Sequence, residues 1–246
     1  MSVYTLKQQH EDAQALLGLS CFAGDAECAR VALNTGADAK GAVFKYDVVN
    51  GTFNTEGPTS VFTCCKCTAA YVAALRGNVN TLGVILDAPG VDPNKGDTDN
   101  GDTPCHAACR CDKSAAVKML LARGADATRV NKYGDTPFTV AILKNSTACL
   151  RALIEGAVLQ GRTLDVNALM STNGCWKGKT GLDIALDCNK AKVAVFLRDE
   201  LGAMTGDEIS EVRQAAPAML GSTPELIVSA APSPPEANDT QTKPLL

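Results

Sequence analysis

Thiols and an imidazole crowd one short stretch of this 246-residue chain: Cys105, His106, Cys109 and Cys111. These are the groups that bind zinc or carry redox chemistry. A second cluster, Cys64, Cys65 and Cys67, lies upstream. A third candidate is Asn173-Gly174-Cys175-Trp176-Lys177-Gly178-Lys179-Thr180, which looks like a phosphate-binding loop. The phosphate loop needs four residues between its glycines and a preceding strand. Gly174 and Gly178 enclose three, and nothing upstream reads as a strand in a parallel unit, so no nucleotide is expected. His10 and His106 are the only histidines. Neither belongs to a nucleophile–acid set, so neither an enzyme nor a cofactor is expected.

The elements that must hold these residues decide between the remaining readings. Thr103-Pro104 starts a helix, because Thr caps a helix N-terminus and Pro at the first helical position loses no needed hydrogen bond. On that helix Cys105 and Cys109 share one face, while Cys111 lies about 200° from Cys109. Packing is therefore the better reading for Cys105, His106 and Cys109, since a buried free thiol behaves as a small apolar group. Cys64, Cys65 and Cys67 precede Thr68 in an expected loop, where they are accessible. They supply three ligands where tetrahedral zinc wants four. Cys111 is a candidate fourth, and a metal or redox sensor stays open as an alternative to a solvent-facing loop.

The helix at Thr103 is one of a series. Thr103-Pro104 and Thr136-Pro137 stand 33 residues apart. Sliding the same frame places further anchors at Thr68, Thr180 and, in degenerate form, Ala15. Nine residues past the anchors stand Gly24, Gly77, Asp112, Asn145 and Asn189. All are types that tolerate the left-handed conformation, so each marks the end of a first helix. Ala73, Ala108, Ala141 and Ala185 share one register, where small side chains let adjacent units approach. Behind them Ile85, Leu86, Val117, Leu120, Leu121, Leu150, Leu153, Ile154, Phe196 and Leu197 form an apolar layer.

The wording Thr103-Pro104-Cys105-His106-Ala107-Ala108, closed by Gly124-Ala125-Asp126, resembles the ankyrin repeat. The resemblance covers about residues 15–203 in five repeats. It implies an all-α solenoid of helix-turn-helix units joined by hairpin-like loops, with His106 in the repeat's own histidine position, tying the turn. Residues 1–14 are set apart as an N-terminal segment.

Two insertions break the period, at about 41–63 and 157–167. In the first, Val43-Phe44-Lys45-Tyr46-Asp47-Val48-Val49 partly alternates and Asn50-Gly51 signals a tight turn. A β-hairpin is expected there, with an irregular loop as the alternative. The second insertion has no such signature. Thr205-Gly206-Asp207-Glu208 matches a capping box, so a capping helix is expected over 204–220. From 221 to 246 the chain turns rich in Pro, Ser and Thr, which predicts a disordered tail.

Ankyrin proteins typically bind partners on a concave surface of loop tips and first-helix ends. Carried onto this sequence, the second repeat offers Cys64, Cys65, Cys67, Leu75 and Arg76. The third offers Asp99, Asn100, Asp102, Arg110 and Cys111. The fourth offers Lys132, Tyr133, Asp135, Leu143 and Lys144, and the fifth Trp176, Lys177, Lys179, Asp187 and Cys188. Tyr133 and Trp176 are candidate anchors, because aromatics and Arg dominate binding energy. Arg76, Arg110, Lys144, Lys177 and Lys179 make the face locally basic, with aspartates interleaved. An adaptor or scaffold for an acidic or mixed-charge protein segment follows. The alternative is a regulatory inhibitor whose phosphorylatable tail, with Thr223-Pro224 and Ser233-Pro234, controls its turnover.

Composition narrows the rest. The formal net charge is −4, which argues against a nucleic-acid partner. No run approaches the roughly 20 apolar residues of a membrane span, and Met1 to His10 lacks the apolar core of a secretory signal. Eleven cysteines without that signal read as free thiols. The chain is expected to be monomeric on its own, in the cytoplasm or the nucleus.

Overall fold

The computed structural model describes residues 3–40, 44–47, 52–54, 64–97, 99–162, 164–168 and 176–211. The chain divides into a compact unit, Met1–Glu208, and a second unit, Ile209–Leu246.

The first unit is a series of helix pairs: α1 (Val3–Ala23) with α2 (Ala26–Asn34), α3 (Ala69–Arg76) with α4 (Val79–Leu86), and α5 (Pro104–Arg110) with α6 (Ser114–Ala122). They continue with α7 (Pro137–Leu143) and α8 (Thr147–Leu159), then α9 (Gly181–Asp187) and α10 (Ala191–Val195), which runs on as a π-helix, Phe196–Glu200. The threonine anchors act as caps. The side chains of Thr68, Thr136 and Thr180 accept the N–H groups of Tyr71, Thr139 and Asp183 at 3.2 Å. Thr103 accepts that of His106 at 3.5 Å.

All five turn positions are left-handed, with φ of 86° at Gly24, 78° at Gly77, 56° at Asp112, 57° at Asn145 and 53° at Asn189. These turns also join neighbouring repeats. Asn78 donates to the Cys21 carbonyl at 2.8 Å, Ser146 donates to the Asp112 carboxylate, and the Val193 N–H donates to Asn145 Oδ1 at 3.2 Å.

Ala73, Ala108, Ala141 and Ala185 are fully buried, so the expected close-approach register is real. Of the apolar layer, Leu86 and Ile154 are only half-buried and the rest is buried. Within it α2 packs on α4, α4 on α6, and α6 on α8. The α6–α8 contact depends on Gly156, whose missing Cβ would lie 2.2 Å from Leu121 Cδ1.

The N-terminal boundary differs from expectation. The 21-residue helix α1 runs through Ala15 without a break, so residues 3–14 are continuous with the expected first anchor in one helix. The reason is local: an alanine cannot cap, and from Val3 to Leu17 there is neither Gly nor Pro to stop a helix.

The first insertion is a sheet. Strands β1 (Phe44–Asp47) and β2 (Thr52–Asn54) form the expected antiparallel hairpin, pairing Tyr46 with Phe53. A third strand, β3 (Cys64–Cys67), pairs antiparallel with β1, so the order is β2-β1-β3. The Asn50-Gly51 turn lies outside the described residues. The cysteine cluster expected in a loop is therefore a strand.

The second insertion begins inside α8, whose 13 residues exceed the 8 of α4 and 9 of α6. After the π-helix, the Thr205 N–H donates to Glu208 Oε2 at 2.8 Å and the Glu208 N–H to Thr205 Oγ1 at 3.2 Å, closing the expected capping box. A helix follows over 206–211. The remainder of the expected cap and the tail from 221 lie outside the described residues. Among the described residues no helix is long and apolar enough to cross a membrane.

Candidate protein-binding face

The loop tips of the third and fourth repeats stand on a buried polar network. Asp102 is fully buried. One carboxylate oxygen accepts from Asn131 Nδ2 at 2.7 Å, and the other holds the Arg110 guanidinium. The Asp102 N–H donates to Asp97 Oδ1 at 2.9 Å, and the Asn100 N–H donates to the same atom at 3.1 Å. Asn131 Oδ1 accepts the N–H groups of Tyr133 and Asp135, each at 2.9 Å. Every buried polar group here has a partner, the condition under which such a network rigidifies a structure.

His106 joins this network to the helix frame. Its Nδ1 accepts the Thr103 N–H at 3.1 Å, so the proton resides on Nε2, which donates to the Asp135 carbonyl at 2.9 Å. Burial lowers the His106 pKa, which keeps the ring neutral in that tautomer. Burial also raises the pKa values of Asp97 and Asp135.

On this base stands Tyr133, 62% exposed, with its hydroxyl donating to Asn100 Oδ1 at 3.0 Å. Lys132 Nζ donates to the Asp99 carbonyl at 2.7 Å, and the Lys132 N–H donates to the Asn100 carbonyl at 2.9 Å. Two adjacent tips are thus locked to each other. Val130, three residues before Tyr133 in the chain, is also exposed.

The other expected contact residues divide into three groups. Asp99, Arg76, Lys144, Lys177 and Asp187 are exposed, while Leu75, Asn100, Cys111, Asp135, Leu143, Lys179 and Cys188 are half-buried. Trp176 is half-buried and packs against the core, with Lys179 Nζ 6.0 Å from its ring. Cys67 and Asp102 are buried and present no side chain to a partner. Cys67 ends β3 against the core, and Asp102 is consumed by the network. The side chains of Cys64 and Cys65 lie outside the described residues.

The face is less basic than its composition implies. Arg110 is paired with Asp102 and Lys179 with Asp187, and the Arg76 guanidinium lies 4.2 Å from the centroid of the Phe22 ring. Lys144 and Lys177 are exposed and make no ion pair among the described residues.

Cys105, His106 and Cys109 are buried. Among the described residues no group of three or more His, Cys, Asp or Glu side chains is placed to hold a metal ion. Sequence reasoning missed Asp97 and Asn131, the two residues that carry the tips. A signal existed: Gly101-Asp102-Thr103-Pro104 recurs as Gly134-Asp135-Thr136-Pro137, each preceded a few residues earlier by Asp97 or Asn131.

A model of three ankyrin repeats matches residues 46–131 and 70–163. The chain is similar to the target of rapamycin complex 2 subunit AVO2 of Saccharomyces cerevisiae, with 32% identity over 45% of this chain and 24% of that protein. It is similar to human NF-kappa-B inhibitor epsilon, with 32% identity over 39% of this chain and 19% of that protein. With human scaffold protein ILK it shares 38% identity over 31% of this chain and 15% of that protein. The matched regions span less than a quarter of each of these relatives.

Proposed function

We propose, on the premise that this chain is an ankyrin-repeat protein, that it is an adaptor holding an acidic or mixed-charge segment of another protein. The segment lies across the loop tips and first-helix ends of repeats two to five. The observation that carries this reading is the preorganised pair of tips in repeats three and four. Tyr133 and Arg110 are held by Asn100 and Asp102 on a buried network before any partner arrives. An anchor fixed in advance loses little freedom on binding, which is how affinity is gained without added area. Lys144 and Lys177, exposed and without an ion pair among the described residues, supply positive charge, which favours carboxylates on the partner. The relatives named as a complex subunit, an inhibitor and a scaffold agree with binding rather than catalysis. In this reading the chain is monomeric until its partner engages, and it works in the cytoplasm or nucleus without nucleic acid or cofactor.

The test is capture from native lysate with mass-spectrometric readout, comparing wild type with a Tyr133→Ala, Lys144→Glu double variant. Both positions are exposed, so the variant keeps its fold, which circular dichroism verifies. A protein held by wild type and released by the variant supports the reading. The same proteins captured equally by both would sink it.

A further inference from the structure

Three free thiols meet inside the array where the third repeat joins the fourth. Cys105 and Cys109 stand one turn apart on α5, and Cys149 lies in the first turn of α8. All three are buried, and the Cys109 thiol is hydrogen-bonded to those of Cys105 and Cys149. The repeat frame asks for no sulfur at the two facing positions. In the register of Cys109 stand Ala74, Ile142 and Leu186, and in that of Cys149 stand Thr81, Ala116 and Val193. Any of these types satisfies the packing.

Geometry gives the three thiols different parts. A disulfide holds its Cβ atoms about 3.5–4.5 Å apart, whereas residues four apart on one helix keep theirs about 5–6 Å apart. Cys105 and Cys109 are therefore poor partners for each other unless α5 unwinds. Cys149 approaches from a different helix and carries no such constraint.

Cys149 is also the better nucleophile. Its N–H donates to Ser146 Oγ at 3.1 Å at the start of α8, the end of a helix that favours a thiolate. Its pKa is lowered, chiefly by the hydrogen bond from Cys109, with Ser146 adding to this against burial and Asp112. Cys109 is pushed the other way, by its bonds to Cys105 and Cys149 and by burial. The Cys149 thiol donates to Asp112 Oδ1 at 3.7 Å, and Asp112 is exposed in its left-handed turn. The sulfur is thus one exposed side chain away from water. A nucleophilic thiol with a second thiol beside it is the arrangement of a peroxide-reactive pair.

We propose that Cys149 and Cys109 are an oxidation site, at which hydrogen peroxide forms a disulfide that ties α5 of the third repeat to α8 of the fourth. The Cys149 thiolate attacks one peroxide oxygen. The O–O bond breaks, a sulfenic acid forms on Cys149, and the departing hydroxide takes up the proton that Cys149 gave. The Cys109 sulfur then attacks the Cys149 sulfur. The S–S bond forms, the S–O bond breaks, and the leaving hydroxide takes the Cys109 proton. Two thiols are oxidised to one disulfide, and the peroxide is reduced to two waters.

The test treats the reduced full chain with hydrogen peroxide under native conditions. Remaining thiols are alkylated, and the chain is digested without reductant and mapped by mass spectrometry. A peptide linked through Cys109 and Cys149 is expected, and dithiothreitol should remove it. With dimedone present, Cys109→Ala is expected to leave a sulfenic-acid adduct on Cys149, while Cys105→Ala keeps the link. The wild-type map needs no substitution, so it decides the matter even if a variant at these buried positions fails to fold. The proposal is overturned if linked peptides join other cysteines only, or if the Cys109–Cys149 link forms only in urea, where the chain is unfolded. A folded Cys109→Ala variant whose adduct lies elsewhere than Cys149 would overturn it too.

Discussion

Two junctions in this array use the same repeat frame and reach opposite ends. At the α6–α8 junction Gly156 lets Leu121 press against the helix backbone, and Gln160 Nε2 donates to the Leu121 and Ala125 carbonyls at 2.8 and 2.9 Å. At the next junction α8 meets a π-helix across a cavity, and a single arginine spans it. Contact between neighbouring units is thus set by individual residues and not by the repeat. Glycine closes one seam, and an arginine–glutamate pair spans the other.

The comparison is broken most severely from the closed side. Leu153 is fully buried in α8, and Leu153→Ala is expected to cost about 2–5 kcal/mol in chemical denaturation. A loss below about 1 kcal/mol would mean this layer is not tightly packed. Next comes Gly156→Val, which drives a side chain into Leu121. Overpacking of this kind costs about 1–3 kcal/mol, and a melting temperature unchanged from wild type would refute the close approach. At the open junction Arg151→Ala removes a half-exposed ion pair and a ring contact. About 1 kcal/mol or less is expected; a loss as large as that of Leu153→Ala would mean the cavity is closed in solution.

A smaller effect should separate the front of the molecule from its back. The His106 pKa is lowered by burial, so the unfolded chain takes up a proton before the folded one does. The stability that His106 contributes is complete above the unfolded value, about 6.5, and is lost as pH falls from there through the folded value. Asp97 and Asp135, both raised by burial, act with the opposite sign at the lower pH of carboxylates. A ring-proton titration resolves this, since His10 is the only other histidine. An ordinary or raised value for His106 would contradict its placement.

What the sequence disclosed was mostly local. The five left-handed turns were legible because Gly, Asn and Asp are types that tolerate positive φ, and the threonine caps because a cap bonds within three residues. The hairpin of β1 and β2 was legible from alternation and Asn50-Gly51. What escaped depends on distant partners. β3 pairs across an intervening segment, so Cys64 to Cys67 carried no strand signal of their own. Asp102 looked like a surface aspartate, because its burial depends on Asn131 and Arg110 arriving together. The cavity beside α8 was invisible, since it depends on how α8 and α10 stand to each other.

That cavity also sets how the array behaves as a linear chain of coupled units. In such a chain stability is the sum of each unit's own and the terms between neighbours, and the weakest coupling decides where cooperativity ends. Here the last helix pair keeps its contact with the fourth through α7 and α9, while the cavity lies on the α8 side, so fraying is expected to begin at that pair.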